Sequence, residues 1–249
     1  MTVLTWLGID PRAYSQNEQT AGETGLAQWL ATPGASIKAP HSPLDGPVAI
    51  EAGARLWLTG SNASQKHYFC DWLMGFVGQG PSSVTLKFNE KSIETPSKRA
   101  ECFSVLGRSP LLYGTTLRDA LLYRTQNVRK NMMLELAAKC FGPSLKARAH
   151  ADNPLADASG VPLTTESLTA REHLEVAQVN VLLQRTPVIV VDLSSELVNE
   201  ALEEGFQFAP ELTQSAKTIL VILPPKLSRE AAVRLLGSSF ASGSELNFG

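Results

Sequence analysis

The chain is poor in cysteine, in long apolar runs and in surplus positive charge, and each shortage argues against a class of protein. Its three cysteines, Cys70, Cys102 and Cys140, are widely separated, which indicates a reduced, cytoplasmic compartment rather than a disulfide-rich secreted fold. The four histidines do not stand at metal-ligand spacing from them, so no zinc site is expected. No apolar run has the length needed to cross a bilayer. The net charge of -2 lacks the basic excess that is typical of nucleic-acid-binding proteins.

What remains is the composition of a packed globular protein, with 43% apolar and 18% charged residues. Apolar spacing alternates between the strand and helix periods along most of the chain. Strands are predicted over residues 47–52, 55–59, 84–88, 103–106, 188–192 and 218–223, and helices over residues 66–77, 116–123, 128–141, 168–184, 196–204 and 228–236. Residues 143–165 read as a loop rich in Pro, Ala, Ser and Asp. This alternation predicts an α/β fold with a mostly parallel sheet.

The predicted elements divide the chain into three parts. Residues 1–43 form an N-terminal arm full of turn-forming residues, with one short helix predicted over residues 25–31. Residues 44–115 and 185–249 form the α/β core, and the block of helices over residues 116–184 forms a subdomain set into it. Trp6 and Trp29 in the arm fit either a docking surface or ordinary buried aromatic residues.

One strand–loop–helix, ending in the stretch from Gly60 to His67, has the outline of a phosphate-binding loop. Gly60 and Lys66 have the spacing at which such a loop places its first glycine and its phosphate-neutralising lysine. Ala63 and Gln65 occupy positions where glycines let the backbone approach phosphate, and His67 replaces the hydroxyl that holds magnesium. Taken alone, the match fits a capped helix start with Lys66 as a solvated residue better than a nucleotide site.

Further segments, in the right order, resemble the ATP-binding-cassette domains of exporter-type ABC transporters over residues 44–236. Residues 49–60 resemble the strand–turn–strand before the phosphate loop, and residues 108–119 resemble the segment that begins with the Q-loop glutamine. Residues 168–172 fall on the signature motif, residues 188–192 on Walker B, and residues 218–224 on the strand that ends in the switch histidine. The resemblance implies a P-loop NTPase-like fold: a mostly parallel sheet core with an antiparallel β edge and an inserted helical subdomain.

The same alignment shows losses at the positions that carry the family's chemistry. Hydrolysis of ATP needs charge neutralisation and a residue that orients the attacking water. Leu193 stands where the family has the catalytic glutamate, Arg108 replaces the Q-loop glutamine, and Pro224 replaces the switch histidine. No aromatic residue between Trp29 and Trp57 is available to stack on adenine. Asp192 persists at the end of Walker B, either facing a metal or simply capping a buried strand.

The signature segment has the form of a capping box, with Thr169 at the N-cap and Glu172 three residues later. Glu172 would then satisfy free backbone N–H groups and place negative charge where the family binds a phosphate, with Arg171 partly offsetting it. A well-capped helix is the preferred interpretation. Asn199, at the position of the D-loop aspartate, is expected to be an ordinary residue of a helix surface.

The sequence therefore predicts a catalytically inactive ABC-type subunit, a scaffold or regulator in a transport or secretion assembly. No catalytic residue, metal or cofactor is expected beyond weak ATP binding, for which Gly60, Ser61, Lys66 and Asp192 are the candidate residual contacts. The expected partner is a competent cassette ATPase, a membrane-domain subunit or a second copy of the chain. The chain would be cytoplasmic, reaching a membrane only indirectly at its inner face, and would bind a membrane subunit beside residues 108–119.

Two alternatives from other classes stay open at this point. A diverged P-loop enzyme, an NTPase or phosphoryl-transfer enzyme, would have to recruit Glu196, Glu200 or Asp71 as the missing carboxylate. A general protein-interaction module would use the tryptophan-bearing arm.

Overall fold

The computed structural model describes residues 30–39, 47–76, 86–93, 98–99, 101–108, 112–125 and 128–248. Most of the predicted N-terminal arm, with Trp6, Trp29 and most of its predicted helix, lies outside the described residues. No helix in the described ranges is long and apolar enough to span a bilayer.

The described elements alternate between strand and helix for most of the chain. The strands are β1 (Ile37–Ala39), β2 (Val48–Ile50), β3 (Arg55–Thr59), β4 (Leu86–Phe88), β5 (Lys91–Ile93), β6 (Phe103–Leu106), β7 (Val188–Asp192), β8 (Thr218–Ile222) and β9 (Ser244–Asn247). The helices are α1 (Ala63–Met74), α2 (Leu117–Leu122), α3 (Lys130–Cys140), α4 (Pro143–Arg148), α5 (Ala170–Leu183), α6 (Glu196–Glu203), α7 (Pro210–Thr213) and α8 (Arg229–Leu236), followed by a 3-10 turn at Ser238–Phe240.

Two sheets organise these elements, as expected for an α/β fold with an antiparallel part. The first has five parallel strands in the order β6-β7-β8-β3-β9. The second has four antiparallel strands in the order β2-β1-β4-β5. The predicted antiparallel strands thus form a sheet of their own. Strands β6, β7, β8 and β3 are parallel, so their carboxyl ends lie on the same side of the sheet. The loops that follow them therefore lie close together.

Both faces of the parallel sheet are covered, which explains the unbroken apolar runs in β7 and β8. Every residue of these two strands is buried. Alternate side chains pack on opposite sides, as the strand period dictates. Ile189 and Val191 belong to a core with helices α2, α3, α5 and α8. Val188 and Val190 belong to a second core with α1 and the antiparallel sheet.

Helix α5 is the central helix of the first face. It contacts α2, α3 and α6. Asn180 fixes α5 to α2, since its side-chain amide donates to the backbone oxygens of Ala120, Leu121 and Tyr123. The C-terminal part of α5 is therefore held against the end of α2.

Most predicted elements are confirmed, but the short elements β1, β5 and α7 were not predicted. Three further differences have local causes. Residues 143–148 were predicted as loop but form α4, because Pro143 stands at the helix start, where its missing N–H costs nothing. Helix α1 begins at Ala63, three residues before the predicted start at residue 66. Strand β9 was not predicted, since Ser244–Asn247 lacks an apolar run and pairs only with β3.

Candidate functional site

The loop before α1 is shorter than a phosphate-binding loop would be. Asn62 caps α1, its side-chain oxygen accepting the backbone N–H of Gln65 at 3.0 Å. Ala63 and Gln65, where a phosphate loop would have glycines, are good helix formers and extend α1 into the predicted loop. Position 60 requires a glycine, because its φ is +97° and a Cβ there would lie 2.7 Å from Asn247 Oδ1.

Several backbone N–H groups in this stretch already have acceptors within the protein. Asn62 N donates to Phe248 O at 3.4 Å, and Lys66 N donates to Asn62 O at 3.3 Å. Ala63 N donates to the oxygen of Ser61, an exposed residue at the turn. A phosphate loop instead turns several amides toward the ligand. The chain's own carbonyls and the Asn62 side chain take the place of phosphate oxygens here.

Lys66, the best candidate from the sequence, is fully buried rather than solvated. Its Nζ donates to Gly60 O at 2.8 Å and to Leu223 O at 2.6 Å. Burial lowers the pKa of Lys66, and the negative charge of Asp192 acts in the opposite direction. The ammonium therefore connects the loop after β3 to the residue that follows β8.

Asp192 lies at the end of β7 with both carboxylate oxygens in contact with protein groups. Oδ1 accepts from Ser194 N at 2.9 Å and from Ser194 Oγ at 2.5 Å. Oδ2 lies 3.0 Å from His67 Nε2 and accepts from Arg108 Nε at 3.4 Å. Burial opposes ionisation of Asp192, but hydrogen bonds from His67 and Ser194 outweigh it and hold its pKa below the ordinary value.

Arg108 joins Asp192 to a second carboxylate. Its Nη1 donates to Asp71 Oδ1 on α1, and the guanidinium is about three-quarters buried. Of the three carboxylates considered as recruits for catalysis, Asp71 alone belongs to this network. Glu196 and Glu200 are exposed on α6, as is Asn199.

This donor set does not fit a magnesium ion with a bound nucleotide. Magnesium prefers oxygen ligands in octahedral geometry. At the position of the hydroxyl ligand the chain has the imidazole of His67, and both Asp192 oxygens are engaged. Leu193, at the position of the family's glutamate, is fully buried in the core. In the described parts of the chain, no group of three or more metal-binding side chains is present.

The start of α5 is the second candidate half of a composite site, and the predicted capping box is confirmed. Thr169 Oγ1 accepts from Glu172 N at 3.3 Å, and Glu172 Oε2 accepts from Thr169 N at 3.1 Å. Glu172 is almost fully buried and also accepts from Arg148 Nη1 at 2.8 Å and Ser144 Oγ at 2.7 Å. Its charge therefore faces α4 rather than a partner's phosphate.

A different residue, Glu204, places a carboxylate at the free end of α5. Its Oε2 accepts from Arg171 N at 2.8 Å. The Arg171 side chain donates to Glu175 Oε1 at 2.8 Å and to Glu204 O at 3.2 Å, so it does not offset Glu172 as expected. Glu204 occupies the place at a helix start where an anion would be favoured.

Sequence reasoning missed several residues of these networks. Ser194 could have been found, because a serine two residues after an aspartate is a common partner in a local side-chain turn. Asn62 also carries a local signal as an N-cap residue. Arg148, Glu204 and Phe248 carry none, since each contacts residues that are distant in sequence.

Comparison with known proteins gives one informative result. No protein-family model matches the chain, and neither does any curated protein sequence. Among solved structures, the chain is similar to a bacterial Atm1-family ABC exporter with ATP bound, with a TM-score of 0.54 and 16% identity over 76% of this chain. The similar region covers 34% of the exporter chain, about a third of its length. At this identity the likeness concerns the fold alone, and it indicates a P-loop NTPase-like α/β fold.

Proposed function

We propose that the chain is a catalytically inactive ABC-type subunit that acts as a scaffold or regulator in a transport or secretion assembly. The observation that carries the proposal is the position of Lys66, whose buried amine is bound by the carbonyls of Gly60 and Leu223. A lysine held in this way makes its contacts within the protein. Binding a nucleotide there would require these bonds to break first.

The environment of Asp192 supports the same conclusion. Arg108 and His67 hydrogen-bond the Asp192 oxygen that a metal ion would otherwise need as a ligand, and Leu193 offers no group to orient water. The pairing is favourable because Asp192 is almost fully buried, where an unpaired carboxylate would be costly. Restoring a magnesium site would therefore require two changes at once: loss of these pairs and gain of oxygen ligands.

The start of α5 supports it from the other half of a composite site. Thr169 and Glu204 already accept the N–H groups of Glu172 and Arg171. A phosphate on a partner subunit would meet the Glu204 carboxylate at this helix start, and like charges repel. Gly60, Ser61, Lys66 and Asp192 thus remain candidate contacts for a weakly bound nucleotide at most.

A cassette fold without catalytic chemistry would act by binding other proteins. We propose a competent cassette ATPase or a membrane-domain subunit as the partner, with a second copy of the chain as the alternative, at the cytoplasmic face of a membrane. Arg118, in the predicted docking segment of residues 108–119, lines a cavity of about 150 Å³ together with Lys130 and Leu155, among others. Tyr113, in the same segment, is half exposed, and its ring stacks on that of Tyr123 with the centroids 4.0 Å apart.

The decisive experiment is a calorimetric titration with ATP, with and without magnesium, together with a steady-state ATPase assay. We expect no turnover above buffer and at most weak, magnesium-independent binding. Lys66→Ala, beside the matched control Lys226→Ala at an exposed lysine, separates the site from general charge effects. Magnesium-dependent turnover that Lys66→Ala abolishes and Lys226→Ala retains would rule out the proposal and favour the diverged enzyme.

The partner class is tested separately. Purification of the tagged chain from its native source, followed by identification of bound proteins, should yield a competent cassette ATPase or a membrane protein. Recovery of neither, with the chain monomeric by size-exclusion chromatography, would favour a general interaction module.

A further inference from the structure

A second fully buried lysine, Lys217, lies just before β8, at the opposite end of the strand from Leu223. Its side chain is fully buried, and within the described residues its Nζ has no hydrogen-bond partner. Proteins seldom leave a buried ammonium without acceptors, because the charged form loses its water and gains nothing in return. An amine can occupy such a position at lower cost when it is uncharged.

The charged groups around Lys217 also favour the uncharged amine. Arg185, in the turn before β7, acts on Lys217 with like charge. Arg55, on β3, donates from Nη1 to the backbone oxygen of Lys217 at 2.6 Å. No carboxylate of the described residues forms an ion pair with Lys217. Burial, with a contribution from Arg185, lowers the pKa of Lys217 to about 7.

The backbone beside Lys217 is a junction of both sheets. Thr218 Oγ1 donates to Ala35 O at 2.9 Å, next to β1, and accepts from Gly53 N at 3.0 Å, next to β3. Thr218 N donates to Pro187 O at 3.0 Å, next to β7. The packing is tight, since a Cβ at Gly34 would lie 2.6 Å from Thr218 Oγ1. Thr218, the residue after Lys217, therefore connects the start of β8 to the chain next to β1, β3 and β7.

We propose that Lys217 is a proton-sensitive element of the fold: it is packed as a neutral amine, and its protonation loosens the junction at the start of β8. A protonated amine has three N–H groups to satisfy and must move toward water or admit it. Either movement pulls on the backbone between β8 and its neighbours β3 and β7. The fold therefore responds to pH near neutrality through one residue that lies outside the candidate nucleotide site.

The sign of the effect follows from proton linkage. Between the pKa of the folded state, about 7, and the ordinary value of 10.5, the unfolded chain holds a proton that the folded chain does not. Stability therefore rises with pH across this interval and is lost as pH falls toward 7. Below pH 7 both states are protonated and the dependence from Lys217 flattens. One proton corresponds to about a tenfold change in the unfolding equilibrium constant per pH unit.

The test compares urea unfolding of the wild type, Lys217→Met and the control Lys226→Met at pH 7, 8 and 9. We expect the wild type and the control to share one pH slope, and Lys217→Met to differ from them by about one proton, or about 100-fold in the ratio of unfolding constants over the two units. The difference between proteins cancels the titration of the cysteines and tyrosines. An unchanged slope in folded Lys217→Met would overturn the proposal.

A direct measurement covers the case in which the methionine variant does not fold. In the wild type with ¹³C-labelled lysine, the Cε signal of Lys217 should titrate near pH 7, and assignment by Lys217→Arg and Lys66→Arg distinguishes it from the other buried lysine. A Lys217 signal that titrates near 10.5 means that the amine is charged in the fold, and the proposal is then wrong.

Discussion

Lys66 and Lys217 lie at opposite ends of the parallel sheet, are equally buried, and differ in what surrounds the amine. Lys66 Nζ has two backbone oxygens within 2.8 Å and Asp192 nearby, whereas Lys217 Nζ has no partner in the described parts of the chain and has Arg185 nearby. Burial lowers the pKa of both. The comparison teaches that burial alone does not fix the role of a lysine. Because Lys66 has two acceptors, it connects two loops. Because Lys217 has none in the described parts of the chain, its protonation state is expected to change near neutral pH.

The largest expected effect comes from removing the amine of Lys66. Lys66→Met keeps the length of the side chain but leaves Gly60 O and Leu223 O without their donor at a buried position. Because an unsatisfied buried polar group costs about 1–3 kcal/mol, we expect a loss of about 3 kcal/mol in the free energy of unfolding. Urea unfolding at pH 7 measures it.

The same substitution at the other end of the sheet should act in the opposite direction. Lys217→Met replaces an unpartnered amine by an apolar group of similar length, and we expect a gain of about 1 kcal/mol at pH 7. If both variants were destabilised equally, the two lysines would be equivalent and the comparison would fail.

Asp192 extends the comparison, because it is the negative charge near Lys66 and no described carboxylate pairs with Lys217. Asp192→Asn keeps the shape but sets an amide against Arg108 and His67, and we expect a loss of about 2 kcal/mol at neutral pH.

The pH dependence of Asp192 has a definite sign. Since the folded-state pKa lies below the ordinary value of 3.8, ionised Asp192 stabilises the fold. This contribution is complete above the ordinary value and is lost as pH falls through the folded-state pKa. Acid unfolding followed by circular dichroism should therefore be shallower below pH 4 in Asp192→Asn than in the wild type. Parallel acid-unfolding curves for the two proteins would show that the pKa of Asp192 is not lowered in the fold.

A substitution of Arg108 is expected to have a smaller effect on stability. Arg108→Gln restores the residue type of the Q-loop and removes the cation between Asp71 and Asp192. Because the guanidinium is about a quarter exposed, solvent screens part of the interaction, and we expect a loss of about 1 kcal/mol. A double-mutant cycle with Asp71→Asn isolates the pair, and an additive cycle would show that the two residues do not interact.

These residues also show how far sequence reasoning reaches. The spacing of Gly60 and Lys66 and the capping box at Thr169 were predictable, because each depends on residues within one loop or one helical turn. The burial of Lys66 was not, since Leu223 lies 157 residues away in the chain. The parallel sheet followed from periodicity, but the edge strand β9 carries too little apolar pattern to be recognised.

The smallest expected effect extends the comparison to the start of α5, where the partner of the charge is a helix end. Glu204→Gln removes the negative charge but keeps an oxygen that can accept from Arg171 N. A charge at a helix start is worth about 0.3–1 kcal/mol, so we expect a loss of about 0.5 kcal/mol that shrinks in high salt. Glu203→Gln, one residue earlier and exposed, is the matched control. If Glu204→Gln instead stabilised the chain, the negative charge of Glu204 would be unfavourable at this helix start. The N–H groups at the start of α5 would then not be satisfied by the chain's own carboxylate as proposed.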